Sequence, residues 1–133
     1  FSIILPDHVP EPSGGVVVPF FGVKTLTSTL APKLASKTKC ALVGLSCIRR
    51  DDNRGFDIYC YKLDDPALYD RNTEVATHAL NIAMQEMIED QCSHYMWGYR
   101  RFKRIPNLGN PYRADSSKLQ AFLKSAKDKR YKT

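Results

Sequence analysis

Apolar and polar positions recur at two different spacings along this chain, and the changes of spacing mark out its elements. FSIIL (1–5) is β-branched and apolar and stops at Pro6, the pattern of a buried strand whose end carries Pro6, Asp7 and His8. PDHVPEPSGG (6–15), with three prolines and two glycines, reads as a loop. VVVPFFG (16–22) is too apolar for a surface loop, and Pro19 excludes a sheet interior, so a short extended piece leading to a buried corner is expected. From Thr25 to Ser36 the residues Leu26, Leu30 and Leu34 share one helical face, which predicts a helix bent or split at Pro32.

ALVGLSCI (41–48) is a continuous apolar run of strand length, typical of a strand covered on both faces. RRDDNRG (49–55) is the turn, and FDIYCYKL (56–63) alternates as the second strand of a hairpin. Asn72 or Thr73 caps a helix that runs to about Cys92, with Ala76, Leu80, Ala83 and Met87 on one face and Val75, Ala79 and Ile88 widening it. The methionines of that helix read as core. YMWGY (95–99) is a last strand or an extended pass over the core. Beyond PNLGNP (106–111), Ser117 with Gln120 makes a capping box, and Leu119, Phe122, Leu123 and Ala126 form an apolar stripe on a basic helix. Strands alternating with helices in this order make the fold class α/β.

Composition adds little until charge is considered. With 133 residues and 43% apolar positions the chain is long enough for one domain with a core. No apolar run is long enough to predict a membrane-spanning helix. The start at Phe1, already inside an apolar run, predicts that the chain is a fragment. Net charge is +6, and residues 113–133 hold seven cations against Asp115 and Asp128. Such asymmetry fits an anionic partner, or simply a solvated tail. Cys40, Cys47, Cys60 and Cys92 form no CxxC pair, and the first three fall in apolar or strand-like runs where cysteine acts as a small buried hydrophobe. Neither a metal site nor a cofactor is expected, and a reducing compartment is the simplest reading.

Two places carry candidate chemistry. Asp7 and His8 stand at the carboxyl end of the first strand, where ligands bind in open α/β sheets. As neighbours on an extended chain they point apart, so they cannot easily act on one atom; Asp7 organising the loop beside an exposed His8 is the plainer alternative. His78 and His94 read as structural. The second place is YMWGYRRFKR (95–104), with the only Trp and four cations in five positions. Tyr95, Trp97, Tyr99 or Phe102 could stack on bases, although no nucleic-acid-binding motif surrounds them. Trp and Tyr could mark a membrane interface, with the basic helix adding attraction to anionic lipid. Arg100, Arg101 and Lys103 could hold phosphate oxygens. A solvated basic surface remains the fourth reading.

ILPDHVPEPSGGVVVPFFG (4–22), KCALVGLSCIRR (39–50) and YMWGYRRFK (95–103) together resemble the bacterial lipid A biosynthesis acyltransferases, the lauroyl and myristoyl transferases of the lysophospholipid-acyltransferase superfamily. The blocks occur in the family's order and cover residues 1 to about 104. The resemblance implies the C-terminal part of an acyltransferase-type mixed sheet flanked by helices over 1–112, followed by a basic tail, 113–133. It implies acyl transfer from acyl carrier protein, or from acyl-CoA, to a hydroxyl of a lipid A precursor at the cytoplasmic face of the inner membrane.

The family's general base is a His followed five positions later by an acid. Here His8, His78 and His94 are followed by Ser13, Ala83 and Tyr99, so no catalytic residue is assigned, and the fragment is expected to be inactive alone. Pro6, Asp7 and His8 stand where the superfamily carries a proline-glutamate-glycine block associated with acceptor binding. On this reading Asp7, His8, Arg100, Arg101 and Lys103 contact substrate. Trp97, Tyr99 and Phe102 meet the membrane interface, the partners are acyl carrier protein, the lipid A precursor and an anionic membrane surface, and nucleic acid is not one. The competing reading is a basic nucleic-acid-binding or membrane-binding module without catalysis.

Overall fold

The structure is a computed structural model that describes the backbone of residues 1–130 and side chains as far as residue 125. In chain order its elements are β1 (Gly15–Phe20), β2 (Val23–Ser28), α1 (Leu30–Thr38), β3 (Leu42–Arg49), β4 (Phe56–Leu63), α2 (Thr73–Asp90) and α3 (Ser116–Arg130). This is the α/β class read from the sequence. The strands form two separate antiparallel pairs, β1 with β2 and β3 with β4.

The first pair is where the hydrophobic pattern misleads. The leucine spacing predicts a helix from Thr25, yet residues 23–28 are a strand and the helix begins at Leu30. Thr25, Thr27 and Thr29 decide this: all are buried, and β-branched residues at every second position suit a pleated strand better than a helix. Phe21 and Gly22, with φ of 47° and 74°, make the tight reversal between the strands. Pro19 is accommodated because each strand of a two-stranded sheet is an edge. Pro32 likewise causes no bend, for it lies in the first turn of α1, where its missing N–H has no helical acceptor to lose.

α2 runs as expected, except that Val75, expected to widen its apolar face, is exposed. The Asn72 side chain accepts from Glu74 N at 3.0 Å, and the helix crosses the β1–β2 hairpin. Phe20, Leu68, Ala79, Leu80, Met84 and Ile88 form the core between them. Polar Asn81 is buried on the same side, where its amide donates to Pro19 O at 2.7 Å and Thr27 Oγ1 at 3.2 Å, tying helix to hairpin.

Four further expectations are corrected. FSIIL is not a strand: it joins neither strand pair, its end turns into the following loop through Leu5 O, which accepts from His8 N, and Phe1, Ile3 and Leu5 are exposed. β3 is covered on one face only. Leu42, Gly44, Ser46 and Ile48 turn inward while Val43, Leu45 and Cys47 face out. A Cβ at Gly44 on the inner face would come within 2.5 Å of Met87 Sδ, so a side chain there would have to displace the end of that flexible methionine. All four cysteines are exposed free thiols rather than buried hydrophobes. The cap of α3 is Asp115, whose carboxylate accepts from Ser117 N at 2.9 Å and Lys118 N at 3.1 Å, and not the Ser117–Gln120 box. The Ser117 hydroxyl, which also donates to this carboxylate, and then these backbone bonds hold the Asp115 carboxyl below the usual carboxylate range. Of the stripe on α3, Ala126 lies beyond the described side chains.

Candidate functional site

Residues 95–104 form neither a strand nor an extended pass. They are a chain of tight turns, with Trp97 N donating to Tyr95 O, Tyr99 N to Met96 O and Arg101 N to Tyr99 O. Successive side chains therefore point in unlike directions, and the cations and aromatics part company.

Arg101 turns inward and is only 2% exposed. Its Nη1 donates to Leu26 O at 2.9 Å and its Nη2 to Thr27 Oγ1 at 2.8 Å, and its guanidinium lies 4.8 Å from the centre of the Phe20 ring. Burial pulls its pKa below the ordinary arginine value, an effect opposed by nearby Tyr95 and Asp7. The expectation that Arg101 presents its fork to phosphate is thus corrected: both of its terminal nitrogens donate to the β1–β2 hairpin, while its buried Nε has no hydrogen-bond partner. Phe102 is half-buried, its ring 6.0 Å from that of Phe20 and packed against the core.

The tyrosines grip the loop after FSIIL. Tyr95 Oη donates to Asp7 Oδ2 at 3.1 Å, Tyr99 Oη accepts from Val9 N at 2.9 Å, and the Tyr99 ring stacks on His8 at 5.1 Å. Burial, then the negative charge of Asp7, pushes the Tyr95 hydroxyl well above its ordinary range, so it remains a donor. Asp7 and His8 are accordingly brought beside the 95–104 segment although about ninety positions separate the pairs. The clamp was not foreseen, because nothing local in the sequence distinguishes a tyrosine that grips a distant loop from one that stacks on a ligand.

Four other residues of the segment keep an outward aspect. Arg100 is exposed and lies 5.8 Å from the Tyr112 ring. Lys103 is half-buried with its Nζ 5.7 Å from the Tyr99 ring. Arg104, which pairs with Glu11 at 3.3 Å, and Lys103 border an open surface hollow of about 610 Å³. Trp97 is 58% exposed, its Nε1 donating to Cys92 O at 2.8 Å and its ring edge-on to Tyr95.

Behind the clamp a cavity of about 450 Å³ opens between residues 2–7, β3 and α2. Ile4, Leu42, Met84, Met87 and Ile88 make its wall largely apolar, and Asp7 and Tyr95 belong to the same lining. A mainly apolar cleft with a few convergent polar groups is the usual form of a small-ligand site. Among the described residues no group of three or more His, Cys, Asp or Glu side chains could hold a metal ion, and no helix is long and apolar enough to cross a membrane.

A comparison with curated proteins found no match. The model of the family described as bacterial lipid A biosynthesis acyltransferase matches residues 1–104, which include both hairpins, α2, the Asp7–His8 loop and its tyrosine clamp. With most of its length matched in this way, the chain belongs to the bacterial lipid A biosynthesis acyltransferase family.

Proposed function

We propose that these residues form the acceptor-side wall of an acyltransferase that moves an acyl chain from acyl carrier protein, or from acyl-CoA, to a hydroxyl of a lipid A precursor. The observation that carries this reading is the tyrosine clamp, which sets the Asp7–His8 loop on the rim of an apolar cavity, with Lys103 over the Tyr99 ring that stacks on His8 and Arg100 outward beside Tyr112. The cavity suits a hydrocarbon chain, which gains roughly 0.8 kcal/mol for each methylene removed from water. Arg100 and Lys103 supply charge for the phosphates of the precursor, and His8, exposed against Tyr99, is the group nearest to them in role. Trp97 suits an anionic membrane interface, where an aromatic ring with a polar edge is favoured. The inner membrane's cytoplasmic face is where these substrates would meet the site.

No histidine here has an acid five positions on, so the acid–base pair that activates the hydroxyl is not among these residues. Their share of the reaction is binding and orientation. Tyr95 holds Asp7, Tyr99 holds the backbone at Val9, and Arg101 fastens the whole segment to β2.

The test is to mix the 133-residue chain with a diphosphorylated lipid A precursor and measure both binding and acyl transfer from acyl carrier protein. Binding without transfer is expected, weakened about tenfold or more in an Arg100→Ser, Lys103→Ser variant. Transfer by the chain alone, or binding indifferent to the double substitution, would overturn the assignment.

A further inference from the structure

Leu80, Met84, Met87 and Ile88 all line the cavity behind the tyrosine clamp. Successive helical positions turn by about 100°, so these side chains share one side of α2, and at about 1.5 Å of rise per residue they carry the wall for roughly 12 Å. Asp7, Gln91, His94 and Tyr95 belong to the lining where α2 ends, so polar groups gather at that end and the wall toward Leu80 is apolar. Gly44 of β3 is part of the same lining. An ideal Cβ at Gly44 would come within 2.5 Å of Met87 Sδ and 2.9 Å of its Cε, so the Met87 side chain reaches from helix to strand and rests on bare backbone. The other inward positions of β3, Leu42, Ser46 and Ile48, carry side chains. Gly44 has no left-handed backbone angle to explain it, and a glycine inside a strand often marks a close approach of this kind.

We propose, on the reading of this cavity as the hold for an acyl chain, that Met87 seated on Gly44 sets how long a chain the cavity accepts. A chain with its carbonyl end among the polar groups runs along α2 and meets Met87 before it reaches Met84 and Leu80. Methionine is unbranched and flexible, so its position depends on the room it is given. Here that room is the missing side chain of Gly44. A larger residue at 44 pushes the thioether back into the path of the chain and closes off the end at Leu80. Shortening the side chain at 87 opens that end instead. In a packed wall a chain gains with each methylene until it meets the bar, and beyond it overpacking cancels the gain.

The experiment is a titration of the whole chain with saturated fatty acids of about eight to about eighteen carbons, each displacing a fluorescent fatty acid. In the parent, affinity is expected to rise about fourfold per methylene up to a limiting length and then to level off. Gly44→Val is expected to bring that limit about two carbons earlier or more, and Met87→Ala about two carbons later or more, with the fold of each checked by circular dichroism. Ile58→Ala, exposed on the other face of the hairpin, is expected to keep the parent's limit. A limit that is the same in the parent and both variants, or that moves the same way in both, would overturn the role of Met87 and leave the acyl-chain reading of the cavity standing. Failure of every fatty acid to bind would overturn that reading, and the role of Met87 with it.

Discussion

A guanidinium removed from water costs several kcal/mol unless its donors and charge are met. Arg101 meets most of that condition with a carbonyl, a hydroxyl and an aromatic face, all supplied by β1 and β2, and leaves only its buried Nε without a partner. Arg101→Ala is expected to lower stability by about 3 kcal/mol, read from the urea midpoint, because Leu26 O loses its side-chain donor, Thr27 Oγ1 keeps only the Asn81 amide, and a cavity opens under Phe20. Arg101→Lys is expected to recover little, since one ammonium cannot reproduce the planar fork. Tyr95 gives a pH signature. Its folded pKa is raised above the ordinary 10.0, chiefly by burial, so its contribution is fully present below pH 10 and is lost as pH climbs above that value. The urea midpoint is expected to fall more steeply between pH 9 and 11 in the parent than in Tyr95→Phe; parallel curves would remove Tyr95 as the cause. At this scale the sequence showed that residues 95–104 matter and hid how. Arg100 and Arg101 are identical neighbours in the chain, and only the turn at Tyr99–Arg101 sends one to solvent and the other into the core.

At the scale of elements, legibility followed how local each cause is. α2 was readable because its cap and apolar face lie within its own residues. The β3–β4 hairpin was readable because polar RRDDNRG separates two strand-like runs. The β1–β2 hairpin was not, because Phe21–Gly22 sits in an apolar stretch and leucine spacing imitates a helix. Gly22, at φ 74°, is the residue on which that turn depends. Gly22→Val is expected to cost about 1–2 kcal/mol in a denaturant titration, since a β-branched side chain is strained in the left-handed region. A neutral outcome would mean that the turn relaxes to another geometry.

Over the whole molecule, the two hairpins contribute differently. β1–β2 is clasped by α2, Asn81 and Arg101 and forms the core. β3–β4 touches α2 through one face and leaves Val43, Leu45, Ile58 and Phe56 in solvent on the other. Residues 1–5 stand across the cavity from β3, and the Asp7–His8 loop that follows them is held by tyrosines from the far end of the matched segment. By itself the sequence determined the α/β class, the family, the span of α2 and the basic character of the tail, because these follow from local periodicity, capping, composition and the order of short blocks. Tertiary structure alone decided which cations face solvent, that FSIIL stays unpaired, and that Asp7 meets Tyr95. Pairing, burial and long-range hydrogen bonds depend on what a residue finds opposite it, and partners some ninety positions away leave no mark on the neighbouring sequence.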